Sequence, residues 1–191
     1  IRNTWGAITY GNGVFVAVAA TSSLLAVMTS VDGINWTVRT AAEANNWQAI
    51  TYNNGLFVAV SSSGTNRVMT SPDGITWTAH SAAAANSWQG ISYGNGLFVA
   101  VSNDGASRVM TSPDGITWTS HSAASANSWK SVTFGNGTFV AVSNTGTGSD
   151  VMTSTNGTSW TSRTTTSGVY FSDVVYGGGI FVAVGAGSYY S

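Results

Sequence analysis

The sequence predicts an all-β fold, a five-bladed β-propeller with four antiparallel strands in each blade of about 41 residues. The first observation is a repeat, since the tetrad Phe-Val-Ala-Val starts at Phe15, Phe57, Phe98, Phe139 and Phe181. A unit that recurs with this period is typical of propellers and solenoids. The second observation is a series of short β-rich segments separated by turns rich in Gly and Asn. The third is that Gly, Asn and β-branched residues interrupt every window that could form a helix.

The second repeat shows how each blade is predicted to form. Its first segment alternates apolar and polar side chains, and the turn Asn53-Asn54-Gly55 leads into a run that is apolar almost throughout. A polar loop and a third β segment follow, and Pro72-Asp73-Gly74 forms the turn into the last segment. We place the four strands at 47–52, 56–61, 67–71 and 75–80.

The number of repeats predicts the number of blades. The first-strand motif begins five times, at Trp5, Trp47, Trp88, Trp129 and Phe171, whereas the turn before the fourth strand occurs four times. We therefore expect one domain, 1–191, with blades at about 5–46, 47–87, 88–128, 129–170 and 171–191. The fifth blade is expected to lack its outermost strand, with Tyr189-Tyr190-Ser191 in the place of the third. Its edge is then either open or covered by another chain or segment.

The composition excludes several classes of function. Charged residues make up 7% of the chain and the net charge is −1, so a general electrostatic grip on nucleic acid or anionic membranes is excluded. The chain has no Cys, which removes disulfides, thiolate metal sites and Cys nucleophiles. No apolar run approaches the ~20 residues of a membrane span, and we expect no membrane insertion. We also expect no metal and no cofactor.

The turns before the fourth strands resemble a known repeat motif. The segments 71–77 and 112–118, both Ser-Pro-Asp-Gly-Ile-Thr-Trp, are similar to the Asp-box of sialidase-type propeller repeats. They are one residue shorter than the usual box, 30–36 is a third copy, and 154–160 has Asn in place of Asp. The resemblance implies a bacterial or phage surface protein with an extracellular, virion or cell-surface location. We expect the box residues to be structural: Asp32, Trp36, Asp73, Trp77, Asp114, Trp118, Asn156 and Trp160.

Three kinds of side chain recur where one blade meets the next, and they predict a ligand site at each seam. An Arg or His side chain lies three residues after each box Trp. An Asn lies two residues before the first Trp of the next blade, and that Trp supplies an aromatic ring. Such groups bind sugars, since the ring stacks on C–H groups while the polar side chains bind hydroxyls. The arrangement resembles five-bladed lectins such as tachylectin. The predicted seam residues are Arg39, Asn45, Trp47, His80, Asn86, Trp88, His121, Asn127, Trp129 and Arg163.

A structural interpretation of the same residues stays open. The Asn side chains, including Asn3, would then hold their loops by bonding to the backbone, and the three Trp rings would be buried between blades. The fourth seam departs from the pattern, because Val169, Tyr170 and Phe171 replace Asn, a small polar residue and Trp. If the seams are sites, this one is altered or lost.

No catalytic constellation is predicted. Glycoside hydrolysis needs two carboxyl groups with separate roles, but Glu43 is the one Glu and three of the six Asp lie in structural turns. We expect a non-catalytic recognition module that binds glycans multivalently. The alternatives are a structural or assembly domain of a virion or surface fibre, with a protein partner or self-association at the open fifth-blade edge, or an engineered repeat protein without a native ligand.

Overall fold

A computed structural model describes residues 3–187 and consists of four four-stranded antiparallel sheets and one two-stranded sheet. The first sheet contains β1 (Trp5–Gly11), β2 (Val14–Ala19), β3 (Val27–Ser30) and β4 (Thr37–Arg39). The second contains β5 (Trp47–Asn53), β6 (Leu56–Ser61), β7 (Val68–Ser71) and β8 (Thr78–His80). The third contains β9 (Trp88–Gly94), β10 (Leu97–Ser102), β11 (Val109–Ser112) and β12 (Thr119–His121). The fourth contains β13 (Trp129–Gly135), β14 (Thr138–Ser143), β15 (Val151–Ser154) and β16 (Thr161–Arg163), and the fifth contains β17 (Val169–Gly177) and β18 (Ile180–Gly187).

Each strand pairs with its neighbour in sequence, so every complete sheet is a four-stranded meander, as predicted. The turns between first and second strands have Asn and Gly at positive φ, for example Asn54 at 51° and Gly55 at 76°. These angles fit the two-residue hairpin turn that the Asn-Gly pairs predict. The fourth strand of the second sheet begins at Thr78 and not at Ile75, which corrects the predicted boundary. The reason is that the Asp73 carboxylate holds the amides of Ile75 and Thr76 in the turn.

The sheets pack face to face in chain order, and each has two different faces. The leading face, which meets the preceding sheet, presents Trp47, Ile50 and Phe57 in the second sheet. The trailing face, which meets the following sheet, presents Val16 and Val18 in the first sheet, and these valines pack against that leading face. The same pairing of bulky and small apolar residues recurs between the second and third sheets and between the third and fourth. The core is therefore a row of repeated layers between sheets.

The innermost strands of all five sheets line one central space of about 770 Å³. This radial arrangement is that of propeller blades around a channel. Within the described residues, no helix is long and apolar enough to cross a membrane.

The five-blade count is not confirmed, because the described residues form four complete sheets and a two-stranded fifth. The first and fifth sheets do not cover each other as the internal sheets do. Ile8 on the leading face of the first sheet is 57% exposed, whereas Ile50 at the equivalent position is 8% exposed. The predicted third strand at Tyr189-Tyr190-Ser191 lies outside the described residues.

Candidate functional site

The three Trp that begin the second, third and fourth sheets are fully buried. Each indole Nε1 donates a hydrogen bond to the carbonyl of the residue four positions earlier, from Trp47 to Glu43 at 3.2 Å and from Trp88 to Ala84 at 3.1 Å. Trp129 repeats the arrangement. The expectation that these rings stack on sugars is therefore corrected, because no ring face reaches solvent and the polar edge is already bonded.

The predicted seam amides are also buried and hold loops. Asn86 Nδ2 donates to Ser107 O at 2.5 Å and to Ser102 Oγ at 3.2 Å. Asn45, Asn127 and Asn3 donate in the same way to main-chain carbonyls of the loop between second and third strands. This geometry agrees with the structural interpretation of the Asn set. A sugar hydroxyl would have to displace these buried bonds.

The fourth kind of seam residue lies on the outermost strand and bonds to a Thr of the third strand. The rings of His80 and His121 contact Thr70 and Thr111 through Nε2, at 2.8 and 2.9 Å. Arg39 Nε and Arg163 Nε donate to the equivalent threonines. Burial lowers the pKa of His80, and the opposing attraction of the Asp114 carboxylate is smaller. These four side chains therefore share one role, which is to join the outer two strands of their own sheets.

The turns before the fourth strands form the same hydrogen-bond network four times. In the second sheet, Ser71 Oγ donates to the Asp73 carboxylate at 2.9 Å and accepts from Gly74 N. Asp73 Oδ1 accepts from Ile75 N and Thr76 N, and Trp77 Nε1 donates back to Gly74 O at 3.1 Å. In the fourth sheet, Asn156 Oδ1 accepts the two equivalent amides.

These amide donors lower the pKa of three turn carboxyl groups. The largest cause is the backbone N–H three residues later, from Asn35 for Asp32, from Thr76 for Asp73 and from Thr117 for Asp114. The N–H groups stabilise the ionised form. Asp32 also accepts a bond from the Asn35 side chain, which adds to the shift.

Replacing Asp73 by Ala is expected to destabilise the protein by about 1 kcal/mol, since two turn amides lose their acceptor while remaining open to water. Replacing Asp73 by Asn should cost less than half of that, because Asn156 shows that an amide oxygen accepts the same two bonds. Urea denaturation of the two variants measures the difference. Equal losses for Ala and Asn would show that the charge, and not the acceptor, stabilises the turn.

Acid pH should weaken the same turns. A folded-state pKa below the ordinary value of about 4 contributes stability that is complete above that value and is lost as the pH falls through the folded pKa. A variant with Asn at positions 32, 73 and 114 (Asp32→Asn, Asp73→Asn, Asp114→Asn) should therefore lose less stability than the parent between about pH 5 and pH 2. Thermal unfolding across this range is the measurement. Identical pH profiles would contradict the role given to the three carboxylates.

The central channel brings together a set of side chains that the sequence analysis did not single out. Each first strand contains a β-bulge directly after the aromatic residue of the repeat motif, which is Phe171 in the fifth sheet and Trp in the others, and one residue there has no partner on the second strand. These residues line the channel, and we call them the bulge positions: Gly6, Gln48, Gln89, Lys130 and Ser172. A bulge re-aims the side chain of the extra residue. The fold thus places four variable side chains, from the second to the fifth sheets, at one shared space.

Polar contacts connect the bulge positions of adjacent sheets. Lys130 Nζ lies 3.5 Å from Gln89 Oε1, and Gln89 Nε2 donates to Ser87 Oγ at 2.9 Å. One residue further along the first strands, Ser131 Oγ donates to Asp173 Oδ1 at 2.6 Å. The channel therefore presents an ammonium group, amides, a hydroxyl and a carboxylate within one opening.

The sequence did contain a signal for this site. The second and third repeats differ at few positions, yet the bulge position changes from Gln to Lys in the fourth repeat and to Ser in the fifth. Lys130 is the one Lys in the sequence. The bulge position holds Gly, Gln, Gln, Lys and Ser along the five repeats, so the architecture does not require one residue type there.

Three other polar side chains organise loops. Asp150 is fully buried and accepts bonds from Ser143 Oγ, Gly146 N and Gly148 N. The Glu43 carboxylate accepts from the backbone and the side chain of Asn66. Arg108 donates from Nη1 to the carbonyls of Asn103 and Asn127.

Among residues 3–187, no three His, Cys, Asp or Glu side chains come together as a group that could hold a metal ion.

No protein-family model and no curated protein sequence matches this chain. Solved structures do match it over nearly its whole length. Virginiamycin B lyase from Staphylococcus aureus is 10% identical with a TM-score of 0.80, and the match covers 95% of this chain and 63% of the lyase. The computationally designed protein Ika8 is 14% identical with a TM-score of 0.68, covering 95% and 55%. A structure of YCF48 bound to D1 peptide is 16% identical with a TM-score of 0.66, covering 96% and 61%.

These similarities show a propeller-type repeat fold. The chain spans 55 to 63% of the length of these three structures.

Proposed function

We propose that the protein is a non-catalytic recognition module whose ligand surface is the mouth of the central channel. The observation that supports this site is the convergence of the bulge positions. Gln48, Gln89 and Lys130 come from three different sheets but line the same space. Concave sites with a few convergent polar groups are the usual place for ligands.

The polar groups of the channel fit a neutral, hydroxyl-rich ligand, and we propose carbohydrate as the class. Two amides and a hydroxyl supply both donors and acceptors, while one ammonium and one carboxylate keep the opening close to neutral. This proposal replaces sugar stacking at the seams, because the Trp rings there are buried. Recognition would then use one composite site and not one site per seam.

The absence of catalysis is part of the proposal. Among residues 3–187, the acidic side chains of the turns and loops are bonded to backbone or amide N–H groups, and Asp173 is the one carboxylate that lines the channel. A pair of carboxyl groups across a scissile glycosidic bond is therefore not formed there.

A glycan array, followed by titration of any sugar retained, tests the proposal. We expect Gln89→Ala and Lys130→Ala each to weaken binding about tenfold, since each removes one polar contact to the ligand. His121→Ala is the matched control at the seam, and it should leave affinity unchanged. Loss of binding in the His121 variant alone would show that the ligand binds at the seams and not in the channel. Retention of no sugar by a folded protein would refute carbohydrate recognition.

We further propose that the repeats belong to the Asp-box class and that the protein acts outside a bacterial cell or on a phage particle. The support is the four-fold recurrence of the Ser, Asp or Asn, Gly and Trp hydrogen bonds in the turns. Closure of a five-bladed ring stays a prediction. An engineered repeat protein stays the alternative origin, and designed propellers are among the similar structures.

A structural or assembly role is the second candidate function. The specific observation in its favour is the exposure of apolar sheet faces at both ends of the row, since Ile8 and Tyr10 in the first sheet and Val182 and Val184 in the fifth are exposed. Exposed contiguous apolar surface marks interaction sites.

A further inference from the structure

The packing between adjacent sheets recurs along the chain, and it indicates what kind of surface would fit each exposed sheet face. In three of the four layers, an aromatic side chain of the first strand, on the leading face, lies against a glycine at the end of the preceding first strand. Tyr52 lies against Gly11, Phe134 against Gly94 and Tyr176 against Gly135, so closely that an added Cβ at each Gly would overlap the ring. Glycine is therefore a seat for the aromatic ring of the next sheet in three of the four layers, and Asn53 has the equivalent position in the second sheet.

The first sheet has the aromatic ring on its leading face, but no sheet within the described residues covers it. Tyr10 occupies the position of Tyr52 and is 58% exposed, and it lies beside the equally exposed Ile8. The strands β1, β2 and β3 contain no charged residue. This leading face is the same mixture of aromatic and aliphatic groups that every internal sheet buries.

The fifth sheet has the glycine at the end of its first strand, but no aromatic ring of another sheet within the described residues packs on it. Gly177 occupies the position of Gly135, and a Cβ added there would meet nothing within 4 Å. Val184 on the same sheet is 56% exposed, whereas Val18, at the equivalent position of the first sheet, is fully buried. Asp173 is the one charged residue in β17 and β18. The two terminal faces are thus the two halves of the interface that recurs inside the chain.

We propose that the trailing face of the fifth sheet binds the leading face of the first sheet of a second copy of this chain, with Tyr10 of the copy seated on Gly177. This inference names the partner for the assembly role and rests on that second candidate function, not on the channel proposal. The two surfaces are different and complementary, so the contact is heterologous and produces rings or open chains of copies. Nearly uncharged apolar faces make its desolvation favourable.

Complementation between two variants tests the head-to-tail arrangement. Gly177→Leu fills the seat and leaves the leading face intact, while Tyr10→Asp places a charge on the leading face and leaves the seat intact. Both positions are open in the single chain, so circular dichroism and thermal unfolding should be unchanged. Sedimentation of the parent at rising concentration should show oligomers, and each variant alone should associate at least tenfold more weakly. An equimolar mixture should recover a dimer, because one intact face of each kind remains. Val184→Glu offers a second block of the trailing face.

The outcomes separate the two levels of the proposal. A folded parent that stays a monomer at all concentrations overturns both the head-to-tail contact and the assembly role, including the case in which Tyr10 closes onto Gly177 of its own chain. If each variant alone associates as strongly as the parent, the assembly role is retained but this contact is overturned. A mixture that recovers no dimer, although both variants are folded, also overturns it. Sugar binding is independent of all three results.

Discussion

Replacing Trp88 by Ala is expected to destabilise the protein by about 4 kcal/mol, the upper part of the range for large core residues. The ring is fully buried in the layer between the second and third sheets, among Val58, Val60 and Ile91. Its loss leaves a cavity bounded by two rigid sheets that cannot collapse easily. The indole hydrogen bond to Ala84 O is lost as well. Urea denaturation followed by far-UV circular dichroism gives the free energy of unfolding.

Trp5→Ala is the matched control. Trp5 begins the first sheet at the position equivalent to Trp88, but it is 37% exposed because no sheet covers that face in the described residues. We expect its loss to cost about 1 kcal/mol when the protein is dilute. Similar losses for Trp5 and Trp88 would contradict the open leading face. A small loss for Trp88 would contradict its burial and restore it as a candidate for sugar stacking.

The sequence was sufficient to predict the strands because the repeats supply independent copies of the same local signals. Asn and Gly at each hairpin turn need positive φ, which fixes the ends of the first and second strands. The boundary at Thr78 could not be read in this way, since Ile75 and Thr76 look like strand residues. Their conformation depends on bonds to the Asp73 carboxylate, and such bonds override local propensity.

The candidate site was harder to predict because the same residue types serve structure and binding. Asn86 and Trp88 have the chemistry of a sugar site, but tertiary packing directs both inward. The bulge positions were hard to predict for the opposite reason, because they look like ordinary strand residues but line the channel. Gln89 and Lys130 follow a strand pattern in sequence, and only the register shift after the preceding Trp turns them toward the channel. A register shift depends on strand pairing, which single-strand patterns do not show.

The number of sheets in a closed ring depends on the angle between neighbouring sheets, which is set by the side chains of the layer. Bulky groups on leading faces and Val or Gly on trailing faces are repeated without a change at the fifth sheet, since Val182 and Val184 continue the pattern. The repeats therefore specify the contact between neighbouring sheets and not the number of sheets in the ring. A count of repeats alone does not determine where such a row closes.

Gly94→Ala is expected to destabilise the protein by about 3 kcal/mol, although it adds a single methyl group. The added Cβ would overlap the Phe134 ring of the fourth sheet. The ring also packs against Phe139 with ring centroids 4.7 Å apart, which limits its movement away from the added methyl group. The third and fourth sheets must then separate along the inner strands, which weakens the layer around Trp129. Thermal unfolding and urea denaturation measure the loss.

Gly177→Ala is the control for this change, since Gly177 has the same place in the fifth sheet and open space around its Cα. Neither Gly94 nor Gly177 has a positive φ, so backbone strain does not contribute to the difference between the two variants. We expect Gly177→Ala to leave the stability of the dilute protein unchanged within about 0.5 kcal/mol. If both variants unfold equally easily, the ring of the next sheet is not what requires glycine, and the seat proposed for Tyr10 loses its physical basis. If only Gly94 is sensitive in dilute protein, while Gly177→Ala reduces the stability gained at high concentration, then the same steric rule operates within the chain and between copies.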